Sequence, residues 1–344
     1  MATRYVDKVA NLAEIVNRPD AAGIGMYNGG LYANLSGTPF LIAANPAGKI
    51  YYVDANSGSD SDDGRSWEKA FVTMSKAFTS VASGDTIYFR GKIREQLTTP
   101  TQVFDVTVIG AGNRPRHADS TPANGELAAN TWAAPASPTA ATPLVKVQQQ
   151  GWRFVNILFA GPTDSSDSNA CIYLNRTSDS GNDEKDASHA EILNCRFDTG
   201  YNGIYDPFGC YNVLVQGCTF RAITNFCILG QGSVGVGQLQ WQVLDNYFTG
   251  FTNGVKITGV RTLVTRNYFT DGGTPTTTVV LNMTNGEADL GTDNFIVGNF
   301  FQTATANFNS PDIVGNATDV WAVNASINST SAGVGGNYEW GQPA

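Results

Sequence analysis

A six-residue pattern recurs six times between residues 154 and 301 of this chain, and it limits the available folds more than any other feature. The copies are Phe154-Val-Asn-Ile-Leu-Phe159, Ile192-Leu-Asn-Cys-Arg-Phe197, Val215-Gln-Gly-Cys-Thr-Phe220, Val243-Leu-Asp-Asn-Tyr-Phe248, Val264-Thr-Arg-Asn-Tyr-Phe269 and Ile296-Val-Gly-Asn-Phe-Phe301. Each opens on an apolar residue and closes on phenylalanine. Successive closing phenylalanines lie 38, 23, 28, 21 and 32 residues apart. Intervals near 21–23, stretched by insertions, match one turn of a solenoid with loops on some of its faces. Most copies are followed by a second short apolar run, such as Gly203-Ile-Tyr205, Phe226-Cys-Ile-Leu229, Gly254-Val-Lys-Ile257 and Thr278-Val-Val-Leu281. Strand, tight polar turn and strand, with β-branched and aromatic residues inward, describe a coil of a parallel β-helix. Helical solenoids are excluded by the glycines and asparagines in the repeats and by the lack of 3.6-residue periodicity. Leucine-rich repeats are excluded because their leucine spacing is missing. With coils stacked at ~4.8 Å, about eight to ten of them predict a rod on the order of 40–50 Å long.

The aligned fourth position holds Ile157, Cys195, Cys218, Asn246, Asn267 and Asn299. Stacking of coils places Cys195 beside Cys218 inside the rod. It also makes Asn246, Asn267 and Asn299 a ladder of amides bonded from coil to coil. These residues, with Phe159, Phe197, Phe220, Phe248, Phe269 and Phe301, are expected to be structural. The five cysteines are odd in number and lack paired CxxC spacing, so neither a disulfide framework nor a zinc site is expected. Buried thiols fit synthesis in a reducing cytoplasm.

Composition agrees with a large acidic domain that does not bind nucleic acid. The 344 residues carry 21 Lys and Arg against 30 Asp and Glu, a net charge of −9 at pI ≈ 4.7. Phosphate binding needs concentrated bases, and these are absent. No run approaches the roughly 18 apolar residues of a membrane span, and Met1-Ala-Thr-Arg-Tyr-Val-Asp-Lys8 does not resemble a secretory signal.

Ahead of the repeats lie two further zones. In residues 1–48, Val6, Val9, Leu12, Ala13 and Val16 recur at helical spacing until Pro19. A hairpin turning at Asn28-Gly29 follows, and Pro39 precedes a short apolar strand. This zone is too small for a core of its own, so it is expected to attach to a partner or to the rest of the chain, through Val9, Leu12, Val16, Tyr27, Leu31 and Phe40. From Ile50 the chain reads as a strand, a polar loop, and a helix capped by Ser66. Trp67, Ala70, Phe71, Met74, Ala77, Phe78 and Val81 share one face of that helix, and Gly84 closes it. Strands at Asp85–Phe89 and Asp105–Gly110 complete a lid at 50–112 over the remaining domain, 49–344. The stretch 113–143, rich in Pro, Ala and Thr, reads as a long excursion anchored by Trp132.

Tyr52-Val-Asp-Ala-Asn-Ser-Gly-Ser-Asp-Ser-Asp-Asp-Gly-Arg-Ser-Trp67, with Ala70-Phe71, Ala77-Phe78 and Gly84-Asp-Thr-Ile-Tyr-Phe89, resembles the N-terminal cap of pectate-lyase-like right-handed parallel β-helix proteins. The resemblance covers about 50–112 through these motifs and 150–330 through the repeat. It implies an all-β, single-stranded right-handed parallel β-helix, a solenoid with an N-terminal capping helix and a small attachment segment before it. It implies function less narrowly, because the superfamily includes polysaccharide lyases, glycoside hydrolases, adhesins and the spikes, fibres and capsid appendages of tailed bacteriophages.

Glycoside hydrolysis on this fold needs carboxylates grouped on one face of neighbouring coils. The polygalacturonase-type Asn-Thr-Asp, Gly-His-Gly and Arg-Ile-Lys signatures are absent, and Asp62-Asp63 sits in the cap loop. Residues 222–344 hold eight acids and three bases, with no two acids at equivalent positions of consecutive repeats. A lyase needs a Lys or Arg base, usually with calcium. Its minority candidates are Lys256, Arg261 and Asp245, with Arg266 nearby. Alternation aims Lys256 outward. Asp60 and Asp62 have calcium-like spacing without the downstream bidentate Glu, and a solvated turn is the expectation there. Neither His117 nor His189 lies in a motif. No cofactor and no metal are expected.

The expectation is therefore a structural virion protein made in the host bacterial cytoplasm and displayed on the particle surface. A capsid decoration protein or head fibre comes first, with a tail spike or fibre binding host polysaccharide as the alternative, and a lyase or hydrolase after it. By resemblance the state is a homotrimer. The partners are another virion protein, such as the major capsid or tail protein, engaged through residues 1–48, and a host surface glycan. No nucleic acid or membrane is expected.

Overall fold

The computed structural model describes residues 24–27, 30–35, 38–43, 48–112, 130–176, 185–231, 238–270, 279–283, 293–303, 313–314, 319–328 and 337–340. The chain winds as a parallel β-helix with three strand-bearing faces. Among the described residues the third face is an eight-stranded sheet, and the first two together hold 19 strands joined through the long strand Thr86–Ile93. Among the described residues each strand on a face, apart from Asn337–Trp340, pairs in parallel with the equivalent strand one coil away. Arg153–Val155, for instance, lies between Thr107–Gly110 and Glu191–Leu193. Three strands per coil require crossovers between parallel neighbours, a connection that takes the right-handed sense.

The hexad alignment is the register of the coils. Its first residues follow one another up the first face as Phe154, Ile192, Val215, Val243, Val264 and Ile296, and Trp321 continues the column. Its last residues follow up the second face from Phe159 to Phe301. The third face contributes Ile172, Ile204, Ile228, Val255 and Leu281. All of these except Trp321 are fully buried and form one continuous core.

The hexad is not one strand, as the sequence suggests, but two strands meeting at a corner. Its third residue carries the turn, with left-handed φ at Asn156, Asn194, Gly217, Asp245, Arg266 and Gly298, and at Val323 in a seventh, degenerate copy. A second such column, Asp105, Gly151, His189, Asn212, Gln240, Arg261 and Asp293, forms the corner that leads into the first face. One left-handed residue redirects the chain within a single step, which is how a coil turns without a loop. His189 thus has a structural place.

The closing helix is shorter than the sequence predicts. Trp67–Lys69 is a single 3-10 turn, Ser66 makes no side-chain cap, and the helix is Met74–Ser80 with Thr73 at its N-cap. Ala70-Phe71 is extended instead. Phe71 bonds the free edge of Ile50–Asp54, the first strand of the β-helix, donating its N–H to Tyr52 O (2.9 Å) and accepting from Asp54 N–H (2.8 Å). That pairing outweighs the helical spacing of Trp67 to Phe71. Met74, Ala77 and Phe78 cover the core, Phe78 meeting Trp132 and Trp152 edge-on at 6.0 and 5.3 Å.

Trp132 belongs to the strand Asn130–Ala133 and is not the anchor of an excursion spanning 113–143; residues 113–129 lie outside the described residues. Near the start of the chain, Ile24–Tyr27, Gly30–Leu35 and Thr38–Ala43 form an antiparallel three-stranded sheet. Tyr27 pairs with Gly30, and Asn28 and Gly29, where the turn is expected, lie outside the described residues. Pro39 lies within the third strand, on an edge where its missing N–H is tolerated. Tyr27, Leu31 and Phe40 sit on these strands, whereas Val9, Leu12 and Val16 lie outside the described residues.

Candidate functional site

The minority catalytic candidates occupy three different parts of the coil. Lys256 lies on the third face, in Asn253–Ile257, with Leu229 and Asn282 as its register neighbours. Arg261 takes the corner leading into the first face, and Asp245 the corner between the first and second faces. Asp245 has a partner the sequence left aside. Arg266, at the same corner one coil on, donates to both of its oxygens at 2.6 and 2.8 Å, and Gln216 adds a third bond at 3.2 Å. The hydrogen bonds from Arg266 hold the Asp245 carboxyl below the usual carboxylate range. A general acid needs the opposite shift.

The loop aspartates are used as clasps. Asp60 accepts Val72 N–H and Thr73 N–H at 3.0 Å on one oxygen and the Thr73 hydroxyl at 2.8 Å on the other. Both oxygens are thereby committed to the cap. Asp62 donates its backbone N–H to Ser59 O. Among the described residues no group of three or more His, Cys, Asp or Glu could hold a metal ion. Glu95 accepts Met74 N–H and Ser75 N–H at 2.8 and 2.9 Å, capping the helix from the connection that follows Thr86–Ile93. Burial raises its carboxyl pKa.

Asp206, which the sequence did not single out, is fully buried at the end of a third-face strand. Burial raises its pKa to about 6, although it accepts backbone N–H groups from Phe208, Gly209 and Cys210 at 3.0, 2.9 and 2.7 Å. A carboxyl perturbed in this way would suit acid catalysis, but this one fastens a turn and is closed to solvent.

The fourth hexad position carries a continuous amide ladder. Asn246 donates both its backbone N–H and its side-chain amide to Asn267 Oδ1, and Asn267 does the same to Asn299 Oδ1, all at 3.0 Å. Asn299 continues to Asn324, which the sequence alignment did not reach because that hexad lacks its closing phenylalanine. Below the ladder, Cys218 N–H donates to Asn246 Oδ1 at 2.8 Å, and Cys195 donates its thiol to Phe154 O and Leu193 O. Burial pushes the Cys195 thiol well up, so it is inert as a nucleophile. A second ladder joins Thr262, Asn294 and Asp319 at the other corner.

The six hexad phenylalanines form one stack with centroid separations of 5.2, 4.5, 4.9, 4.5 and 5.1 Å. A second stack, also missed in the sequence, lies outside the second face: Tyr247, Tyr268 and Phe300, at 5.2 and 4.8 Å. It arises because the fifth hexad position points outward where the sixth points in.

No family model matches the sequence, and neither does any curated protein. Among solved structures, the chain is similar to a rhamnogalacturonan lyase at 13% identity, over 80% of this chain and 87% of that one, with a TM-score of 0.39. It is also similar to the GH136 lacto-N-biosidase from Eubacterium ramulus (12% identity, 81% of this chain, 55% of that one, TM-score 0.48). A third similar structure is ORF18 of Geobacillus virus E2 (13%, 88% and 68%, TM-score 0.38). The likeness is one of backbone path. The chain spans about half the length of the lacto-N-biosidase.

Proposed function

We propose that this chain is a structural protein of a tailed-bacteriophage particle, a β-helical appendage on its surface, serving as a capsid decoration protein or head fibre. The observation that carries this is how the polar side chains are used. Asp60, Glu95, Asp206 and Asp245 each bind backbone N–H groups or a guanidinium, and the asparagines tie coil to coil. Lys256, Arg261 and Asp245 sit on separate parts of the coil. Such an arrangement makes a stiff rod, and the three candidates for acid–base work do not share a face. Five buried free thiols suit assembly in a reducing cytoplasm, and the cap motif at 52–89 carries the resemblance to the superfamily that includes such appendages. In this proposal the particle carries the rod as a homotrimer, and residues 1–48 join it to a capsid or tail protein.

The test is removal of residues 1–48. The shortened chain should fold as the rod and be missing from purified particles. A shortened chain that decorates particles as well as the full one would refute the attachment role. The tail-spike alternative draws support from the aromatic stack outside the second face, which ends on the exposed Tyr247, since aromatic rings and hydroxyls suit sugar more than nucleic acid.

A further inference from the structure

On the outer surface of the second face a stack of rings ends at Tyr247, and the coil before it offers only a short side chain where the next ring would stand. Its outward column runs, in register, Arg196, Thr219, Tyr247, Tyr268 and Phe300. From Tyr247 onward the column is filled by rings lying nearly parallel, with interplanar angles of 11° and 18°. One coil earlier stands Thr219, which has no ring to offer. Tyr268 therefore covers one face of the Tyr247 ring while the other looks out over Thr219, and Tyr247 is 40% exposed. Beside the gap, on the next outward column, are Arg221 and Asp198, 3.9 Å apart and 35% and 29% exposed. Asp198 is in turn fixed at 2.7 Å by the buried Arg196.

We infer that this gap binds the pyranose ring of a glycan. The coil spacing of ~4.8 Å is a ring-stacking distance, so the vacant step accepts one flat ring against Tyr247. A pyranose has an apolar C–H face for an aromatic ring and vicinal hydroxyls at its edge. Asp198 supplies acceptors and Arg221 donors for those hydroxyls, with the Thr219 hydroxyl at the floor. The paired carboxylate and guanidinium disfavour a free phosphate, which Asp198 would repel. They also disfavour a purely apolar partner, which would leave both charges unsolvated. This site does not depend on where the rod is placed on a particle.

The full chain is examined by saturation-transfer difference NMR with the methyl glycosides of glucose, galactose, mannose, rhamnose and N-acetylglucosamine. At least one should receive saturation, most strongly at its ring C–H protons. Thr219→Tyr prolongs the stack across the gap, so it should weaken binding about tenfold or more while the unfolding temperature holds or rises. Tyr247→Ala at an exposed position and Arg221→Ala at a partly exposed one should weaken binding without unfolding the chain. The inference is overturned if no glycoside receives saturation, or if the signal survives Thr219→Tyr or, should that variant not fold, Tyr247→Ala and Arg221→Ala together. Its failure would leave the placement of the rod on a particle standing, since that is read from purified particles.

Discussion

At the scale of single residues, the corners matter most. Seven successive hexad corners use left-handed φ, and their occupants are Asn, Asn, Gly, Asp, Arg, Gly and Val. Asn, Gly and Asp tolerate that conformation, whereas β-branched Val323 pays a steric penalty on the order of 1–2 kcal/mol. Val323 is 70% exposed, so it has little packing to lose. Val323→Asn should therefore raise stability by about 1 kcal/mol in urea unfolding, and Asn194→Val should lower it by a similar amount. If Val323→Asn were neutral or destabilising, the corner would not be under strain.

Asp206 allows a pH prediction with a definite sign. Its folded pKa of about 6 lies above the ordinary 3.8. The folded chain therefore holds a proton that the unfolded chain has released between those values. Stability from this group is full below about pH 4 and declines as pH rises to 6, by about 3 kcal/mol at most. Asp206→Asn should abolish that slope, as denaturant melts at pH 4, 5, 6 and 7 would reveal. Asp54 and Asp245, whose carboxyls are lowered, act oppositely and only in more acid solution, as pH falls through 3.8 and below.

At the scale of elements, the two columns inside the hexad divide the work of holding coils together. Asn267 receives two hydrogen bonds from Asn246 and gives its amide to Val243 O and Asn299 Oδ1. Asn267→Ala leaves buried donors on Asn246 unpaired and should cost about 2–4 kcal/mol. Phe248→Ala, between Phe220 and Phe269 in the ring stack, should cost about 3–5 kcal/mol. Thermal unfolding of the two single variants checks both figures, and a double variant measures how far the columns are coupled.

The hexad was legible in the sequence because its first and sixth residues both point inward and must stay apolar in every coil. The corner at its third position was hidden, since stacking of the coils imposes the left-handed turn on residues as different as Gly298 and Arg266. The helix was overextended for a related reason. Trp67, Ala70 and Phe71 have helical spacing, but the open edge of Ile50–Asp54 and the Asp60 clasp draw Phe71 into extended pairing. The Asp245–Arg266 pair and the outer Tyr247 stack escaped notice because both depend on which residues become neighbours across 21 positions of chain.

At the scale of the whole molecule, low charge and abundant glycine and asparagine have a structural cause. A coil with a sealed interior needs neutral inward residues and single-residue corners, and its polar groups are spent on ladders. The rod has one end closed by the helix Met74–Ser80 and the Phe71 edge pairing. At the other, the strand Asn337–Trp340 turns back antiparallel on Ala325–Asn328. Purified protein incubated with bacterial surface polysaccharide should release neither reducing nor unsaturated sugar ends. Release that disappears in Lys256→Ala would move the chain to the lyases.

The most direct test is electron cryomicroscopy of particles from the phage that encodes the chain. The account predicts a slender three-faced rod, roughly 40–50 Å long at ~4.8 Å per coil, projecting from the particle surface and lost when residues 1–48 are deleted. Particles that carry neither the chain nor such density would contradict it.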